Sequence, residues 1–443
     1  MKVLIIGQGG REHAIAWKIA QSPLVSEIYV TPGNGGTATE PKIKNICINS
    51  DALNQLLSFA KNNKIDLTIV GPEIPLVLGI VDLFQENNLN ILGPNKAAAQ
   101  LEGSKAFCKQ ILTQAKVKTA AYKEFTYKQL LIALAYIENK CPPYVIKADG
   151  LAAGKGVSII TTKQQGLDVL KNLLSKQIFG DASKKIIIED FISGQELSFI
   201  VLVSNNIILP LASSQDHKTR DNHNQGPNTG GMGAYSPSPL LTKDRYDYII
   251  SQIIQPTLDT LKRYNILYNG FLYAGLMIDT DNNISVLEYN CRLGDPETQV
   301  ILPRLESDFF ELCYAAATNN LTTEYANNIK WSNKNAITIV LASRNYPDRV
   351  IKNEIIKLPD CNSYNSYNSH NISDNKIFHA ATYLDQDNNF KTNGGRVLTV
   401  TQLADNINNA QDLAYKYIHN ISWPSMFYRT DIGAQAVSAT NET

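Results

Sequence analysis

Residues Pro143 to Ile160, PYVIKADGLAAGKGVSII, constrain the fold more than any other stretch of the chain. Tyr144, Val145 and Ile146 favour a strand, Asp149-Gly150 signals a turn, and Val157 to Ile160 resumes an apolar run. The segment therefore reads as a hairpin with a lysine on each arm. Gly150, Gly154 and Gly156 can bring bare amides against an anion with no Cβ in the way, and Lys147 and Lys155 then offer point charges to phosphates. A Walker A loop is a poor match, because it needs G-x-x-x-x-G-K-[ST] running into a helix. Here three residues separate Gly150 from Gly154, and Gly156 follows Lys155. Taken alone, such a loop is more often an ordinary hairpin with solvated lysines, so the rest of the chain must decide.

The opening residues set a different pattern. Lys2 to Ile6 reads as a buried strand, Gly7-Gln8-Gly9-Gly10 as a tight turn, and Arg11 to Gln21 as a helix whose N-terminus is aimed at an anion. The third glycine of a dinucleotide fingerprint would fall at Glu12. After the next strand, Glu27 to Val30, the ribose-binding acid is missing and the glycine-rich loop Thr31 to Thr37 stands in its place. This half is thus expected to hold a sugar phosphate and not NAD, the alternative being two structural turns of a doubly wound sheet. Strand Ile65 to Val70, the loop around Glu73 and strand Leu89 to Leu92 continue the βα alternation. Glu73 falls at a strand's carboxyl end, where open α/β sheets place ligands.

Composition narrows the partners. Lysine plus arginine and aspartate plus glutamate both number 41, so no overall basic field draws the chain to nucleic acid or anionic membrane. Six scattered cysteines without a C-x-x-C suit reduced thiols better than a disulfide frame or a zinc site. The most apolar long run, Leu67 to Phe84, is broken by Gly71, Pro72, Glu73 and Pro75, and no signal segment precedes the first strand. A cytoplasmic protein acting on small molecules is expected.

The middle of the chain carries the chemistry. Ser104 reads as an N-cap with Lys105 at the helix start, an unfavourable place for a cation unless it faces an anion. Strand Lys185 to Glu189 ends in Glu189-Asp190-Phe191-Ile192, an exit that can offer backbone groups to an adenine edge, with Glu196 in reach of a ribose. Ser213 to Pro239 reads as a long polar loop, and its His217, Lys218, Arg220 and His223 could make a disordered basic loop, but the interleaved Asp216, Asn228, Thr229 and glycines, Gly230 among them, suggest close packing around a small polar substrate. Phe271 to Ile278 and Ile284 to Asn290 read as paired strands about an Asp279–Asn283 turn, and period 2 puts Glu288 and Asn290 on one face. Two hard oxygen ligands there suit Mg²⁺ that also grips phosphate, and Arg292 shares the face if the strand continues. Strands Ala336–Ala342, Phe378–Tyr383 and Arg396–Val400, then helix Leu403–Ile418, make a third region, with an Asn/Ser/Tyr-rich insertion at Asn362–Asn371.

As a set these residues resemble the phosphoribosylamine-glycine ligase family, also called glycinamide ribonucleotide synthetase, an ATP-grasp family of purine synthesis. The likeness spans nearly the whole chain. It is carried by GQGGREHAIAWK (Gly7–Lys18), PGNGGT (Pro32–Thr37), DLTIVGPE (Asp66–Glu73), LEGSKAFCK (Leu101–Lys109) and IKADGLAAGKGV (Ile146–Val157). SQDHK (Ser214–Lys218), GPNTGGMGAYSP (Gly226–Pro237) and EYNCRLGDPETQ (Glu288–Gln299) complete it. The resemblance implies an α/β and α+β multidomain protein: an N-terminal Rossmann-like parallel sheet at 1–100 for phosphoribosylamine, an ATP-grasp domain at 101–325 with a hairpin lid at about 122–185, and a small C-terminal α+β domain at 326–443.

It further implies ATP as co-substrate with Mg²⁺ or Mn²⁺ on Glu288 and Asn290. Nucleotide contacts fall to Lys105, Lys147, Lys155, Gly150, Gly154, Gly156, Glu189, Phe191, Ile192 and Glu196. Gly9, Gly10, Asn34 and Gly35 would hold the phosphoribosyl group, and Asp216 and Lys218 would orient the amine or the glycine. Glu73, Asn228, Thr229 and Gly230 complete the substrate set, with Arg292, Lys155 and Asp216 in catalysis. A carboxylate activated as an acyl phosphate needs no enzyme nucleophile, in keeping with the lack of a convincing Ser-His-Asp or Cys-His set. A monomer free of nucleic acid and membrane is expected. Ser343-Arg344-Asn345 departs from the glycine-containing turn expected before Tyr346-Pro347, which leaves the C-terminal domain's share of the cleft open. The rival readings are another ATP-grasp carboxylate-amine ligase and a dinucleotide-dependent oxidoreductase.

Overall fold

The computed structural model describes residues 1–152, 156–359 and 374–441. Val3, Leu4, Ile5 and Ile6 are all fully buried, a run that suits a strand covered on both faces. Leu4 and Ile6 join one core with Leu56 and Ala60, while Val3 and Ile5 join another with Ile15 and Ile19. Helices Leu53–Asn62 and Gly10–Ala20 supply those opposite covers. The strand lies at the centre of a five-stranded parallel sheet ordered Ile43–Asn45, Glu27–Pro32, Lys2–Gly7, Leu67–Val70, Ile91–Leu92.

Two antiparallel four-stranded sheets follow. One is ordered Tyr122–Thr126, Lys185–Asp190, Tyr144–Ala148, Val157–Ile160, and holds the expected hairpin with Tyr144 opposite Ile160 and Lys147 opposite Val157. Gly154 and Lys155, expected at the hairpin's tip, lie outside the described residues, as does the insertion Asn362–Asn371. The other sheet is ordered Ile207–Pro210, Gln195–Ser204, Gly270–Ile278, Ile284–Asn290. Its last two strands join through an Asx turn in which Asp279 Oδ1 accepts the amides of Asp281 at 2.9 Å and Asn283 at 2.8 Å.

The last sheet departs from expectation. Gln215–Asp216 and Gly233–Ser236, read from sequence as parts of a long loop, are strands of the C-terminal sheet. They run beside Asn335–Ser343, Arg396–Ala404 and Asn375–His379, with Met426–Phe427 also pairing to Asn335–Ser343. Glycines and short polar residues hide the pattern, yet Met232, Ala234 and Tyr235 are buried. Leu305 to Asn319 reads from sequence as a helix, but the helix begins at Phe309, because Asp308 Oδ1 accepts the amides of Phe310 at 2.8 Å and Glu311 at 3.2 Å and caps it. Leu403, expected to open a helix, lies in the strand Arg396–Ala404, and the helix Ile407–Ile418 starts after the Asn406 cap. Among the described residues no helix is long and apolar enough to cross a membrane.

Candidate active site

The first glycine turn is filled from within. Glu12 Oε2 accepts the Gly9 amide at 2.6 Å, and Arg11 Nε reaches Glu12 Oε1 at 2.5 Å. A Cβ at Gly7 or Gly71 would run into the Glu12 side chain, so the hollow between the loops is Glu12's own berth. The Gly9 amide, expected to meet the phosphoribosyl group, is therefore engaged within the turn, and Gly10 lets Gln299 approach closely. Asn34, likewise expected as a substrate contact, is turned inward. Its Nδ2 donates to the Gln8 carbonyl at 2.9 Å and the His379 carbonyl at 2.8 Å, and its Oδ1 accepts the amides of Gly36 and Thr37. The Gly35 amide donates to Thr382 O at 3.1 Å. A polar residue in a glycine loop reads as a ligand contact from sequence; here it joins the first sheet to the C-terminal one.

Strand Ile284–Asn290 is the platform of the site. Period 2 places Glu288 and Asn290 side by side, Asn290 Nδ2 lying 3.5 Å from Glu288 Oε1. Arg292 reaches back to the same place and donates to Asn290 Oδ1 at 3.1 Å. Its guanidinium also meets Glu102 Oε1 at 2.9 Å and Glu73 Oε2 at 3.4 Å. Burial works against the Arg292 charge, but Glu102 and Glu73 outweigh it and raise its pKa. Burial alone would raise the Glu73 carboxyl, yet Arg292 and Arg11 hold it below its ordinary value. Glu102 goes the other way. Burial pushes it up to about 7, with Arg292 opposing and Glu73 adding to the rise, while its Oε2 accepts the Cys291 amide at 2.7 Å.

The lysines stand over this strand. Lys147 Nζ meets Glu189 Oε2 at 2.9 Å and the Leu287 carbonyl at 3.4 Å, and Lys109 Nζ meets Glu189 Oε1 at 3.3 Å. Glu189 is thus a buried counter-ion to two lysines. Lys105 Nζ donates to the Gly150 carbonyl at 3.4 Å, and burial lowers its pKa, with Glu288 opposing and Lys147 assisting. Burial would raise Glu288, but Lys218, Lys147 and Lys105 together keep its carboxyl below the ordinary value. Gly150 packs against Ala182 and Gly156 against Ala152 and Ala148. Phe191 is 40 % exposed and Ile192 half-buried, just past the strand Lys185–Asp190.

A second pair faces Glu288 from the next sheet. Lys218 Nζ meets Glu196 Oε2 at 2.6 Å; despite burial, Glu196 and Asp216 raise its pKa well above the usual lysine value. Asp216 is pushed up to about 8 by burial, with Lys218 opposing and Glu297, Glu196 and Glu288 adding to it. Thr229 donates its amide at 2.7 Å and its hydroxyl at 2.8 Å to the Lys218 carbonyl. The Gly230 amide donates to the Tyr346 hydroxyl at 2.8 Å, and Arg396 Nη1 donates to the Gly230 carbonyl at 2.5 Å. The C-terminal region therefore meets the Gly230 turn through Tyr346 and Arg396, despite the departure at Ser343–Asn345. Asn228 is exposed on the strand Gln225–Asn228.

The chain matches three family models in order: the phosphoribosylglycinamide synthetase N domain over residues 1–102, its ATP-grasp (A) domain over 103–298 and its C domain over 336–435. The chain belongs to the phosphoribosylglycinamide synthetase family. It is 48% identical over 443 residues to the phosphoribosylamine–glycine ligase of Vibrio parahaemolyticus, covering 100% of both chains. The ligase of the same name from Escherichia coli is 48% identical over 438 residues, 99% of each chain. Among solved structures, the phosphoribosylamine–glycine ligase of Thermotoga maritima superposes with a TM-score of 0.82 at 30% identity, covering 98% of this chain and 100% of that one. Biotin carboxylase of Campylobacter jejuni, in a β,γ-ATP complex, shares the fold, with a TM-score of 0.73 at 13% identity over 96% of this chain and 92% of that one.

Within this family member, the geometry brings Lys105, Lys147, Glu189, Glu288, Asn290 and Arg292 together, with Glu196, Asp216 and Lys218 beside them. Sequence reading passed over Glu102 and Glu297. Glu297 is 2 % exposed, and its Oε1 accepts from Tyr273 at 2.8 Å and Ser198 at 3.2 Å. The signal available was a glutamate inside an otherwise apolar or glycine-rich motif, LEGSK and GDPET, where a charge must find a buried partner.

Proposed function

We propose that this chain ligates glycine to 5-phosphoribosylamine, with ATP passing to ADP and phosphate. The product is glycinamide ribonucleotide, at the second step of de novo purine (IMP) synthesis. The carrying observation is the full-length match of three family domains in order, laid over a cleft whose charges suit phosphoryl transfer. Such transfer asks for positioning and charge neutralisation more than for an enzyme nucleophile.

Lys105 and Lys147, with Lys155 on the hairpin, are assigned to the phosphates, and the hairpin closes over them and keeps water from the acyl phosphate. The segment from Glu189 to Glu196, through Phe191 and Ile192, is assigned to adenine and ribose. Glu288 and Asn290 fit Mg²⁺ or Mn²⁺: both give hard oxygen donors, and the three nearby lysines keep Glu288 ionised. A divalent ion there would neutralise charge developing on the phosphate oxygens. Arg292 holds the Asn290 oxygen in place and faces the transferred group. Asp216 and Lys218 orient glycine and the attacking amine, with Asn228, Thr229 and Gly230 on the loop beside them.

The phosphoribosyl end is assigned to the carboxyl ends of the first sheet near Gly9, Gly10, Gly35 and Glu73, with Asn34 bracing that loop from behind. The corresponding domains are 1–100, 101–325 with a lid at about 122–185, and 326–443. A cytoplasmic monomer is proposed. ADP release measured with glycine alone, with phosphoribosylamine alone and with both tests the reading. Sustained turnover is expected only with the pair, and turnover with bicarbonate or another amino acid instead would replace it with a different ATP-grasp ligase.

A further inference from the structure

Lys218 lies at the root of a two-stranded hairpin, Thr219–Asp221 paired with Gln225–Asn228. The hairpin is surface-bound: Gln225 to Asn228 are exposed, and the register slips between Thr219 and Asp221. A lone two-stranded ribbon is marginally stable in water, so its position must be imposed from outside.

The imposing group is Arg429. It is 1 % exposed and uses all five of its N–H donors. Nε and Nη2 grip Asp431 Oδ1 at 2.7 Å and Oδ2 at 2.8 Å. Nη1 donates to both the carbonyl and the hydroxyl oxygen of Thr219 at 3.0 Å, and Nη2 donates to Asn224 Oδ1 at 3.3 Å. Three further bonds repeat the pattern along the same two segments. The His223 amide donates to Asp431 Oδ2 at 2.8 Å, Asn222 Nδ2 to Thr430 Oγ1 at 2.7 Å, and the Thr430 amide to Asn222 Oδ1 at 3.0 Å. His217, between Asp216 and Lys218, accepts the Gly433 amide at 3.4 Å.

A buried ion pair adds little stability over an apolar filling of the same shape; its stronger effect is to fix a geometry. Here the fixed geometry begins one peptide bond from Lys218. We propose that Arg429, with Asp431, is a positioning residue for the Asp216–Lys218 end of the substrate site. It sets the hairpin's root so that the Lys218 ammonium meets Glu196 and faces Glu288. The C-terminal region then acts on the acceptor substrates, glycine and phosphoribosylamine, and leaves nucleotide binding alone. The proposal rests on the ligase reading above.

Steady-state kinetics of Arg429→Met, Arg429→Lys and Asn222→Ala test it, together with amide hydrogen exchange. Arg429→Met is expected to raise KM for glycine or phosphoribosylamine about tenfold, the effect of losing roughly 1.4 kcal/mol of orientation. KM for ATP should hold, while exchange quickens at residues 219–228 and stays unchanged in strand Gly270–Ile278. Arg429→Lys, which keeps the charge without the fork, should recover part of the loss. Asn222→Ala removes two of the outer bonds at a partly exposed position, so it tests the same coupling without a buried charge and should raise the same KM about two- to threefold.

Unchanged acceptor KM values in a folded variant, or equal losses in every parameter that track the melting temperature, overturn the proposal. If the wild-type enzyme releases no ADP with both substrates, it is the ligase reading that fails. An active wild type with unaltered Arg429→Met kinetics refutes the positioning role alone.

Discussion

Glu102→Gln offers a quantitative test of the site's electrostatics. Glu102 is 9 % exposed, and burial lifts its pKa from 4.5 to about 7. A carboxyl raised on folding binds its proton more tightly in the folded chain. Its cost is therefore absent below pH 4.5 and grows as the pH rises through the window to 7. Over about 2.5 pKa units the cost reaches roughly 3 kcal/mol at pH 8. The glutamine keeps the shape and an acceptor for the Cys291 amide but cannot ionise. Wild type and Glu102→Gln should differ least near pH 4.5, and the variant should gain on the wild type by up to about 3 kcal/mol toward pH 8. Guanidinium unfolding followed by tryptophan fluorescence at five or so pH values gives the comparison. The difference between the two curves is the readout, since Asp216 and other groups titrate equally in both. Parallel curves would mean that Arg292 keeps Glu102 ionised throughout, and the burial argument would be wrong.

Other outcomes follow from the same geometry. Glu288→Ala should abolish ATP turnover with a melting temperature within a few degrees of wild type; an active variant would remove the metal assignment. Glu189→Gln strips two buried lysines of their counter-ion and should cost roughly 3–5 kcal/mol of stability. Added ATP should raise its melting temperature more than it raises that of the wild type, and an equal ATP shift would count against the phosphate role of Lys147. Glu40 is held at about 2 although burial raises it, because the His13 hydrogen bond and the Lys376 charge outweigh that burial. Its stabilising effect is present above pH 4.5 and lost as the pH falls toward 2, so the gap between wild type and Glu40→Gln should close over that range in thermal melts. A gap independent of pH would refute it.

The fold was legible wherever one period dominated. The continuous apolar run at Val3–Ile6 announced a strand buried on both faces, and alternation in Ile284–Asn290 placed Glu288 beside Asn290. The hairpin at Tyr144–Ile160 was legible because turn residues punctuate two apolar runs. What escaped depends on partners far away in sequence. Glu102 is defined by Arg292 and by an amide 189 positions on, and Asn34 by a carbonyl 345 positions on. Local pattern carries neither pairing. Glu189 was read for the backbone groups its strand end can offer to an adenine edge; what escaped is its side chain's pairing with Lys109 and Lys147. The strands inside Ser213–Pro239 escaped for a related reason: they are held by neighbours from Asn335–Ser343 that appear only about a hundred residues later.

That late pairing bears on how the chain can be divided. Gly233–Ser236 finds its outer partner in Gln215–Asp216 and its inner one in Asn335–Ser343. A chain cut between residues 325 and 335 would keep every metal and phosphate ligand assigned above. It would also leave Met232, Ala234 and Tyr235 on a bare sheet edge with unpaired backbone groups, a template for intermolecular pairing. During synthesis the same edge emerges about a hundred residues before its cover. The full catalytic segment is thus an aggregation hazard until the last quarter of the chain arrives, and a shortened enzyme would need a new strand or charged gatekeepers at that edge to stay in solution.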